Sequence, residues 1–550
     1  MAASTLAALR AVATHCHLAA WSFTDEQATE GLAVADRLRD LFLPPPAAAS
    51  SAMQQPSTLL QLLPTELLSV VLSRLDTHDL ARLAATCRPL WRDALAPPPR
   101  PMPLLRPMGL VETELRRRAT ARGLRICSSL PKGALSWVPY LLKRVFCDAL
   151  RREAPLAVGD GFTVFLDAEG RLLTCGTENT GVAGELLLGH DWGGDIDPEE
   201  SRFIGLPTLV PSMQDRRIVS IAAGTWHCLA LSREGEVYSW GDGDDGSLGH
   251  ADSGERAVPS RVESLSRIES IAAGDNRTSA AVDAAGRLFT WGLATDIFNG
   301  ATPNGLGYAL DSETESQLTP KWVDALCEDR VVGVALGFGF TLAVTDAGAV
   351  FSFGSNRYGG IGHASLEAEV LPRRIEVLAQ TGRRFIAVAA GSCHALALTE
   401  EGELYGWGRG GFNGHGRDEP TPHTVTALVG QRVKHVVAGK FSSCAVTEKG
   451  ELFTWGSGNY GKLGHGEQEP TTPKRVERLN GVKVAAAATC FTHTLVADED
   501  GAVWAFGDRF AIGLGDPDAD PDDADEDVVL EPAPIPVLRV RKSPDVLPIR

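Results

Sequence analysis

One sequence pattern recurs seven times between residues 154 and 541, at intervals of about 50 to 65 residues. Its clearest copy, IAVAAGSCHALALTEEGELYGWG, occupies residues 386–408 and precedes a Gly-His pair, a proline and an apolar run. The glycine at the centre of AAG-x-x-H defines a marker position. The marker position is held by Gly159, Gly224, Gly274, Gly337, Gly391, Gly439 and, in the seventh copy, Cys490. A repeat of this length is a supersecondary unit that cannot bury its apolar face alone, so the copies must stack.

Each copy has the pattern of a small antiparallel sheet. Apolar and polar residues alternate over His394–Leu398, which is typical of a half-buried strand. Glu401-Gly402 is a turn signal, Glu403–Trp407 returns to strand-forming residues, and Gly408 ends that strand. With the Gly-rich loop and the Pro-led apolar run that follow, each copy predicts three or four antiparallel strands. Such sheets, stacked around an axis, form a propeller.

Three short motifs narrow the assignment of the repeat. AAG-x-x-H is followed by a glycine-bounded motif and then by Leu-Gly-His. The middle motif reads GEVYSWG, GRLFTWG, GAVFSFG, GELYGWG, GELFTWG and GAVWAFG in the last six copies, and a degenerate GRLLTCG in the first. This pattern resembles the regulator of chromosome condensation repeat, and no copy ends in the Trp-Asp pair of WD repeats. The resemblance implies a seven-bladed β-propeller over residues 154–541.

Histidines and tryptophans recur at fixed places in the repeat. One histidine position holds His227, His394 and His493, and another holds His190, His250, His363, His415 and His465. Metal ligands must converge on one point, about 2 Å from a zinc ion, whereas equivalent positions of different blades are spread around a ring. We therefore expect these histidines to form hydrogen bonds within the repeat, and we expect no metal site. The recurring Trp240, Trp291, Trp407 and Trp455 are expected to fill the wedges between blades.

A second pattern, over residues 59–95, predicts three short helices. Leu63-Pro64 opens the first, since proline is tolerated in a first turn, where its missing amide would have no partner. Leu67, Val71 and Leu75 lie four residues apart on one apolar face. About 37 residues supply too little core for a very stable unit. We therefore expect part of this leucine-rich surface to be buried in a partner.

The same segment resembles the F-box, without gaps from Leu63 to Trp91, and departs from it at Thr86 and Pro89. The resemblance implies docking on a Skp-type adaptor of a cullin–RING ubiquitin ligase. The implied adaptor-binding face consists of Leu63, Pro64, Leu67, Leu68, Val71, Leu75, Leu80 and Leu83. The alternative is a three-helix lead-in that packs on the propeller.

The composition is that of a globular multi-domain chain, with 550 residues, 44% hydrophobic and 22% charged. No run of about 18 apolar residues occurs, so the sequence predicts no membrane span. The ten cysteines occur singly, which favours free thiols in a reducing compartment and a location in the cytoplasm, the nucleus or both. We predict an N-terminal helix and Pro/Ala-rich linker at 1–58, the F-box at 59–95, a basic helical bridge at 96–153, the propeller at 154–541 and a tail at 542–550.

Charge is unevenly distributed along the chain, whose formal net charge is −18. Residues 100–152 are basic, which we interpret as a solvated helix face, with a nuclear signal or nucleic-acid contact as the alternative. Near residue 520, four acids approach the spacing of a calcium loop, namely Asp516, Asp518, Asp520 and Asp527. Pro521 stands where that loop needs a glycine, so we expect a solvated acidic loop there. Pro532–Val540 returns to a strand pattern and is expected to close the ring.

Two copies of the repeat are enlarged, at residues 177–202 and 293–320. Propeller loops carry recognition while the blades stay rigid, so these insertions are candidate target-binding loops. The candidate residues are Asp191, Trp192, Asp195, Asp197, Phe298 and Tyr308. Solvated decoration is the alternative. An acidic surface would favour encounter with basic targets.

These patterns together predict the substrate-recognition subunit of a Skp–cullin–F-box ubiquitin ligase. The F-box would hold the adaptor and cullin, and the propeller would bind an unidentified target protein. The subunit would be no enzyme and would need no cofactor, because the sequence has no phosphate-binding loop, nucleophile elbow or zinc-spaced cluster. We expect no membrane or nucleic-acid partner.

Two other functions are open to a propeller of this kind. The repeat alone implies a guanine-nucleotide exchange factor, or a scaffold, for a Ran-like small GTPase. A light sensor is not expected, although a plant UV-B photoreceptor has the same fold, because its sensing tryptophans directly follow the marker glycine. In this chain the residues after the marker are Asp160, Thr225, Asp275, Phe338, Ser392, Lys440 and Phe491.

Overall fold

The structure is a computed structural model that describes residues 155–540, with gaps at 168, 179–187, 191–201, 295–304, 311–313, 513 and 515–527. The predicted N-terminal segment, F-box and basic bridge lie outside the described residues, as do the acidic loop near residue 520 and the tail. Their boundaries therefore stay predictions. Within the described residues, no helix is long and apolar enough to cross a membrane.

Seven four-stranded antiparallel sheets form the blades of a propeller, and each blade uses four strands that are consecutive in sequence. The first strands are β1 Leu156–Gly159, β5 Ile218–Ala223, β9 Ile268–Ala273, β13 Val331–Leu336, β17 Phe385–Ala390, β21 Val433–Ala438 and β25 Val484–Thr489. The second strands are β2 Phe162–Leu166, β6 His227–Ser232, β10 Thr278–Asp283, β14 Phe340–Thr345, β18 His394–Thr399, β22 Ser442–Thr447 and β26 His493–Asp498.

The outer half of each blade is built in the same way. The third strands are β3 Leu172–Glu178, β7 Val237–Gly241, β11 Leu288–Leu293, β15 Val350–Gly354, β19 Leu404–Gly408, β23 Leu452–Gly456 and β27 Ala502–Asp508. The fourth strands are β4 Arg202–Leu209, β8 Arg256–Arg261, β12 Ser316–Trp322, β16 Glu369–Arg374, β20 Glu419–Thr424, β24 Lys474–Arg475 and β28 Val528–Arg539. The predicted seven-bladed fold is confirmed.

The second strand of each blade is buried more completely than its sequence predicts. Residues 394–398 were expected to form a half-buried strand, but every residue of β18 is buried. That expectation is wrong, because neighbouring blades cover both faces of a second strand, and its polar side chains are satisfied inside the wedge. The turn prediction is confirmed, since Gly402 adopts φ 83° and its amide donates to the Thr399 carbonyl at 3.0 Å.

Short helical turns lead from a fourth strand to the next blade. They are 3-10 turns at Pro211–Met213, Asp324–Leu326, Thr426–Leu428 and Glu477–Leu479, and a five-residue α-helix, α1, at Glu376–Gln380. Further 3-10 turns, Asp244–Gly246 and Asn459–Gly461, lie in the loops between third and fourth strands. Each connecting turn buries one apolar side chain, such as Leu378 of α1, which closes the end of the apolar wedge below it.

The C-terminal end of the described chain closes the ring. In six blades the first residue of the first strand pairs with the last residue of the second strand. The amide N–H of that same residue donates to the carbonyl of the turn glycine in the preceding blade. Val484, for example, pairs with Asp498 and donates to the Gly450 carbonyl. Val540 performs this task for the first blade, since it bridges to Asp167 and its amide donates to the Gly501 carbonyl at 2.9 Å. The expectation that Pro532–Val540 closes the ring is confirmed.

Candidate interaction face at the channel entrance

The marker glycines define one end of the central channel. Each first strand packs against the first strand of the next blade, and the marker residue ends that strand or directly follows it. A Cβ atom on Gly337 would lie 2.7 Å from the carbonyl oxygen of Gly391, and one on Gly159 would lie 2.8 Å from that of Gly224. Glycine is required here by the close approach of neighbouring blades. The residue after each marker therefore stands at the channel mouth.

These seven residues form what we call the entrance ring: Asp160, Thr225, Asp275, Phe338, Ser392, Lys440 and Phe491. Lys440 Nζ lies 3.1 Å from an Asp160 carboxylate oxygen, which joins the sixth blade to the first. The Ser392 hydroxyl donates to Asp275 at 3.3 Å, which joins the fifth blade to the third. Both contacts pass over an intervening blade, so they span the channel mouth.

Asp275 is the most perturbed acid of the entrance ring. Burial raises the pKa of its carboxyl to about 6, the negative charge of Asp160 acts in the same direction, and Lys440 opposes the shift. Its second polar contact is long, with 3.5 Å to the Thr225 hydroxyl. Ionisation of Asp275 therefore lowers the stability of the fold, because burial disfavours the charged form of its carboxyl group.

Aromatic side chains line the entrance ring at the sixth and seventh blades. Phe491 of the entrance ring packs against Phe441 and Tyr460, with ring centroids 5.9 Å away in both cases and steep interplanar angles. The ammonium groups of Lys440 and Lys462 lie 5.1 and 5.6 Å from the centroid of Phe491. These are edge-to-face and cation–π arrangements, which fix the rings while Tyr460 stays 45% exposed.

A pocket opens beside the entrance ring between the fourth and fifth blades. It is lined by Phe338, Phe340, Ser355, Arg357, Tyr358, Gly360 and Ser392. Tyr358 is 43% exposed, and the guanidinium carbons of Arg357 and Arg409 lie 5.4 and 5.8 Å from the centroid of its ring. The pocket therefore has an aromatic wall and a cationic outer rim, which we call the Arg–Tyr–Arg rim.

An acidic cluster occupies the corresponding loop of the second blade. Arg277 of the third blade lies 2.9 Å from Asp242, 3.3 Å from Asp244 and 3.4 Å from Asp245. Burial raises the pKa of Asp242 and of Asp245, although Arg277 acts to lower both. One guanidinium group faces three carboxyl groups, so this side of the face carries negative charge.

The recurring histidines form hydrogen bonds, as predicted. A ring nitrogen of one set bonds a hydroxyl of the next blade at 2.7 Å, in the pairs His227–Ser279, His394–Ser443 and His493–Thr163. Burial lowers the pKa of these three histidines to about 4, 3 and 3, so they are neutral. In the other set, ring nitrogens lie 2.9 to 3.1 Å from third-strand hydroxyl groups, or for His415 from the Gly406 carbonyl.

The tryptophan prediction is confirmed as well. Trp240, Trp291, Trp407 and Trp455 are fully buried. The indole N–H of the last three donates to a backbone carbonyl of the preceding blade, in the pairs Trp291–Ser247, Trp407–Gly360 and Trp455–Phe412. Among the described residues, no cluster of three or more His, Cys, Asp or Glu side chains could hold a metal ion.

Most of the predicted site residues lie outside the described residues, where they stay predictions. These are the adaptor-binding face and Asp191, Trp192, Asp195, Asp197 and Phe298. The structure does describe Tyr308, which is only 8% exposed. Its hydroxyl donates to the Thr290 carbonyl at 2.9 Å, and the Lys321 ammonium lies 4.2 Å from its ring centroid. Tyr308 thus packs the third blade and offers no exposed recognition surface.

The entrance ring, rather than the enlarged loops, is the candidate interaction surface that the structure describes. From the sequence, these residues indicate only that no tryptophan follows a marker residue. The available signal was that this position varies from blade to blade while its neighbours recur, so it is not fixed by the packing that every blade repeats. The Arg–Tyr–Arg rim had no such signal, since it needs two loops from different blades.

Comparison with known proteins agrees with this architecture. Residues 278–546 match the family described as RCC1-like domain, and residues 169–231 and 234–281 match the regulator of chromosome condensation (RCC1) repeat. Residues 60–96 match the family described as F-box-like. The chain therefore belongs to the class of RCC1-repeat propeller proteins. More particularly, it combines an F-box-like segment with a seven-bladed propeller of RCC1 repeats.

Relatives are found among ligases and receptors. Human E3 ubiquitin-protein ligase HERC2 is 37% identical over 380 residues, which are 67% of this chain and 6% of HERC2. The ultraviolet-B receptor UVR8 of Arabidopsis thaliana is 34% identical over 266 residues, which are 46% of this chain and 57% of the receptor. The chain thus spans a small part of HERC2 and just over half of UVR8.

Solved structures share the fold. Yeast RCC1 (Prp20), in its complex with Kap60, superposes with a TM-score of 0.55 at 21% identity, covering 75% of this chain and 90% of that chain. Human WBSCR16 gives a TM-score of 0.52 at 21% identity, covering 62% and 85%. At this identity the likeness extends to the fold alone.

Proposed function

We propose that this chain is the substrate-recognition subunit of a Skp–cullin–F-box ubiquitin ligase. The observation that carries the proposal is the pairing of an F-box-like segment at residues 60–96 with an RCC1-repeat propeller in one chain. The first module would dock on a Skp-type adaptor and through it on a cullin. The second would hold a target protein on its entrance face.

Such a subunit performs no bond chemistry of its own. Binding of a target to the propeller raises the effective concentration of target lysines near the ubiquitin carrier at the other end of the ligase. The rigid ring suits this task, because the blade wedges are fully packed while the loops at the entrance vary. Target choice therefore depends on the loops and not on the strands.

Capture of the full chain by a purified Skp-type adaptor and cullin tests the proposal. Leu67→Asp and Val71→Asp each put a charge into the predicted adaptor-binding face. Because the unpaired carboxylate would have to be desolvated at a cost of several kcal/mol, we expect capture of the wild type and loss in both variants.

The control for this experiment is Leu206→Asp, which makes the same chemical change at a propeller side chain that is 59% exposed. It should be captured like the wild type. If folded wild-type protein fails to bind the adaptor, residues 59–95 become a structural lead-in and the receptor proposal is wrong.

A second function, nucleotide exchange on a Ran-like GTPase, is supported by the fold likeness to yeast RCC1. It predicts that the chain speeds release of labelled GDP from such a GTPase. The same purified protein serves for both assays. Release at the rate of the GTPase alone, together with adaptor capture, would leave the receptor function as the one supported.

A further inference from the structure

We propose that the Arg–Tyr–Arg rim binds an extended acidic segment of a protein, whose acidic groups pair with the two arginines while one apolar side chain lies against Tyr358 at the mouth of the pocket between the fourth and fifth blades. This inference rests on the proposed function, because it names the chemistry by which the propeller would hold its target. It differs from the expectation of a basic target, which followed from net charge alone.

The pocket lies at a junction that departs from the repeat. Where His394 of the fifth blade bonds Ser443 of the sixth, the fourth blade has Phe340 and the fifth has Ala395 at the matching positions. The histidine–hydroxyl hydrogen bond is therefore missing from this junction, which keeps the Trp407–Gly360 hydrogen bond. The Phe340 ring instead packs under the next loop, where a Cβ on Gly360 would lie 2.9 Å from it. The junction thereby provides an apolar floor directly beside the channel mouth.

The first blade supplies an internal comparison for this junction. Phe162 and Cys228 there make the same apolar replacement of histidine and hydroxyl, and both are fully buried. Replacement of the histidine–hydroxyl pair by apolar side chains is thus compatible with close packing and does not by itself create a pocket. At the fourth blade the floor is combined with an exposed tyrosine and two arginines, and this combination points to a ligand.

The charges of the rim select the acidic partner. Arg357 and Arg409 are both exposed and come from loops of different blades, and their guanidinium carbons lie 5.4 and 5.8 Å from the Tyr358 ring centroid. Asp418, an acid of the same loop as Arg409, accepts the Gly410 amide at 2.7 Å. Guanidinium groups held against an aromatic ring lose little further entropy when they bind a carboxylate or a phosphate.

The rest of the face sets the direction of the bound segment. Ser392, at the inner edge of the pocket, already donates to the Asp275 carboxylate, so acidic ligand groups are disfavoured there. The acidic cluster around Arg277 lies on the second and third blades, on the side of the fourth blade that faces away from the fifth. An acidic segment is therefore expected to run outward over the Arg–Tyr–Arg rim, away from the channel mouth.

Selection from a random peptide-display library on the full chain tests this inference. We expect the selected peptides to carry aspartate or glutamate beside an aromatic or aliphatic residue. Their affinity, measured as fluorescein-labelled synthetic peptides, should fall about tenfold or more in Arg357→Glu/Arg409→Glu, because attraction becomes repulsion at both contacts. Replacement of the selected acids by phosphoserine then shows whether phosphate or carboxylate is the tighter ligand.

Arg374→Glu is the matched control, since it reverses an exposed arginine on β16 of the same fourth blade, away from the pocket. It should bind the selected peptides like the wild type. Selection of basic peptides, no selection at all, or equal loss in the control would each overturn the inference. Adaptor capture by the same preparation separates the two proposals, because capture without acidic-peptide binding sinks only the inference, and peptide binding without capture sinks only the receptor function.

Discussion

The junction between the fifth and sixth blades and the junction between the fourth and fifth solve the same packing problem with opposite chemistry. The first buries the neutral His394 against the Ser443 hydroxyl, which in turn donates to the Phe412 carbonyl at 2.9 Å. The second buries Phe340 against Ala395. A histidine in one blade faces a hydroxyl group in the next, whereas a phenylalanine faces a small side chain. The residue types at these two facing positions therefore depend on each other.

The closing junction, between the seventh blade and the first, follows the polar solution. His493 bonds the Thr163 hydroxyl at 2.7 Å, and that hydroxyl donates to the Ala511 carbonyl at 2.7 Å. The first and last blades of the propeller meet here, yet their wedge is built like those between blades that are consecutive in sequence. What sets this junction apart is Val540, a residue from the far end of the sequence that completes the first blade.

The largest effect is expected from breaking this closure. Val540 is 1% exposed and belongs to an apolar cluster that joins the first and seventh blades. Val540→Asp would bury an unpaired carboxylate opposite Asp167, which should lower the free energy of unfolding by about 4 kcal/mol. Denaturant unfolding followed by tryptophan fluorescence measures the change.

Val429→Asp is the control for this variant, because Val429 is 69% exposed. It should unfold within about 0.5 kcal/mol of the wild type. An unchanged midpoint for Val540→Asp would mean that the ring is held closed without this residue.

The next largest effect is expected when the histidine at the junction between the fifth and sixth blades is replaced by phenylalanine. His394→Phe removes the hydrogen bond to Ser443 and overfills a wedge shaped for imidazole, at a cost of about 3 kcal/mol. Adding Ser443→Ala should recover about 1 kcal/mol, because the pair then matches that of the fourth blade. His227→Phe with Ser443→Ala is the control pair, from separate junctions, and its two effects should add. Additive effects for His394 and Ser443 would contradict the dependence of these two positions on each other.

The sequence predicts the interior of this molecule well and its entrance poorly. Recurrence at a fixed spacing predicts the blades. The requirement that metal ligands converge on one point was sufficient to assign His394 to hydrogen bonding, and the size of the indole ring was sufficient to assign Trp407 to packing between blades. It misjudged the burial of His394–Leu398, because alternation within one strand cannot show that a second blade covers its other face. Tyr308 was predicted to be an exposed target-binding residue, but it is buried, because an aromatic residue in an enlarged loop can pack back onto its own blade. The pocket rim requires Arg357 and Arg409 to meet, which only the radial stacking of blades determines.

A smaller effect is expected from pH, and it separates the two kinds of junction. Burial lowers the pKa of His394 to about 3, below its ordinary value of 6.5, so the unfolded chain takes up a proton that the folded chain refuses. The stability that His394 contributes is therefore complete above pH 6.5 and is lost as pH falls below it. At pH 5 the loss is about 2 kcal/mol for this one group.

Unfolding at pH 7.5 and at pH 5.0 measures this loss, by comparison of the wild type with His394→Phe/Ser443→Ala. All other titrating groups are common to the two proteins, so the difference in their pH dependence isolates His394. Equal pH dependence would show that the imidazole is protonated inside the wedge, and the prediction that His394 is neutral in the folded protein would be wrong.

The smallest effect has the opposite sign and lies at the entrance ring. The pKa of Asp275 is raised to about 6, mainly by burial, so its ionised form weakens the fold as pH rises above the ordinary carboxyl range. Asp275→Asn keeps an oxygen for the Ser392 hydroxyl and removes the charge, and it should stabilise the protein by about 1 kcal/mol at pH 7.5. At pH 4.5, where the folded-state carboxyl is protonated, the two proteins should unfold alike.

The same type of substitution within a blade, Asp283→Asn at the end of β10, completes the test. Asp283 is buried and accepts the amide of Arg287 at 2.9 Å and its side chain at 2.7 Å, so its loss should destabilise the third blade. If Asp275→Asn stabilises the protein while Asp283→Asn destabilises it, the charge of Asp275 at the entrance ring is not needed for folding. Such a charge would be consistent with a role of Asp275 in binding. Destabilisation by both variants would instead make Asp275 part of the scaffold.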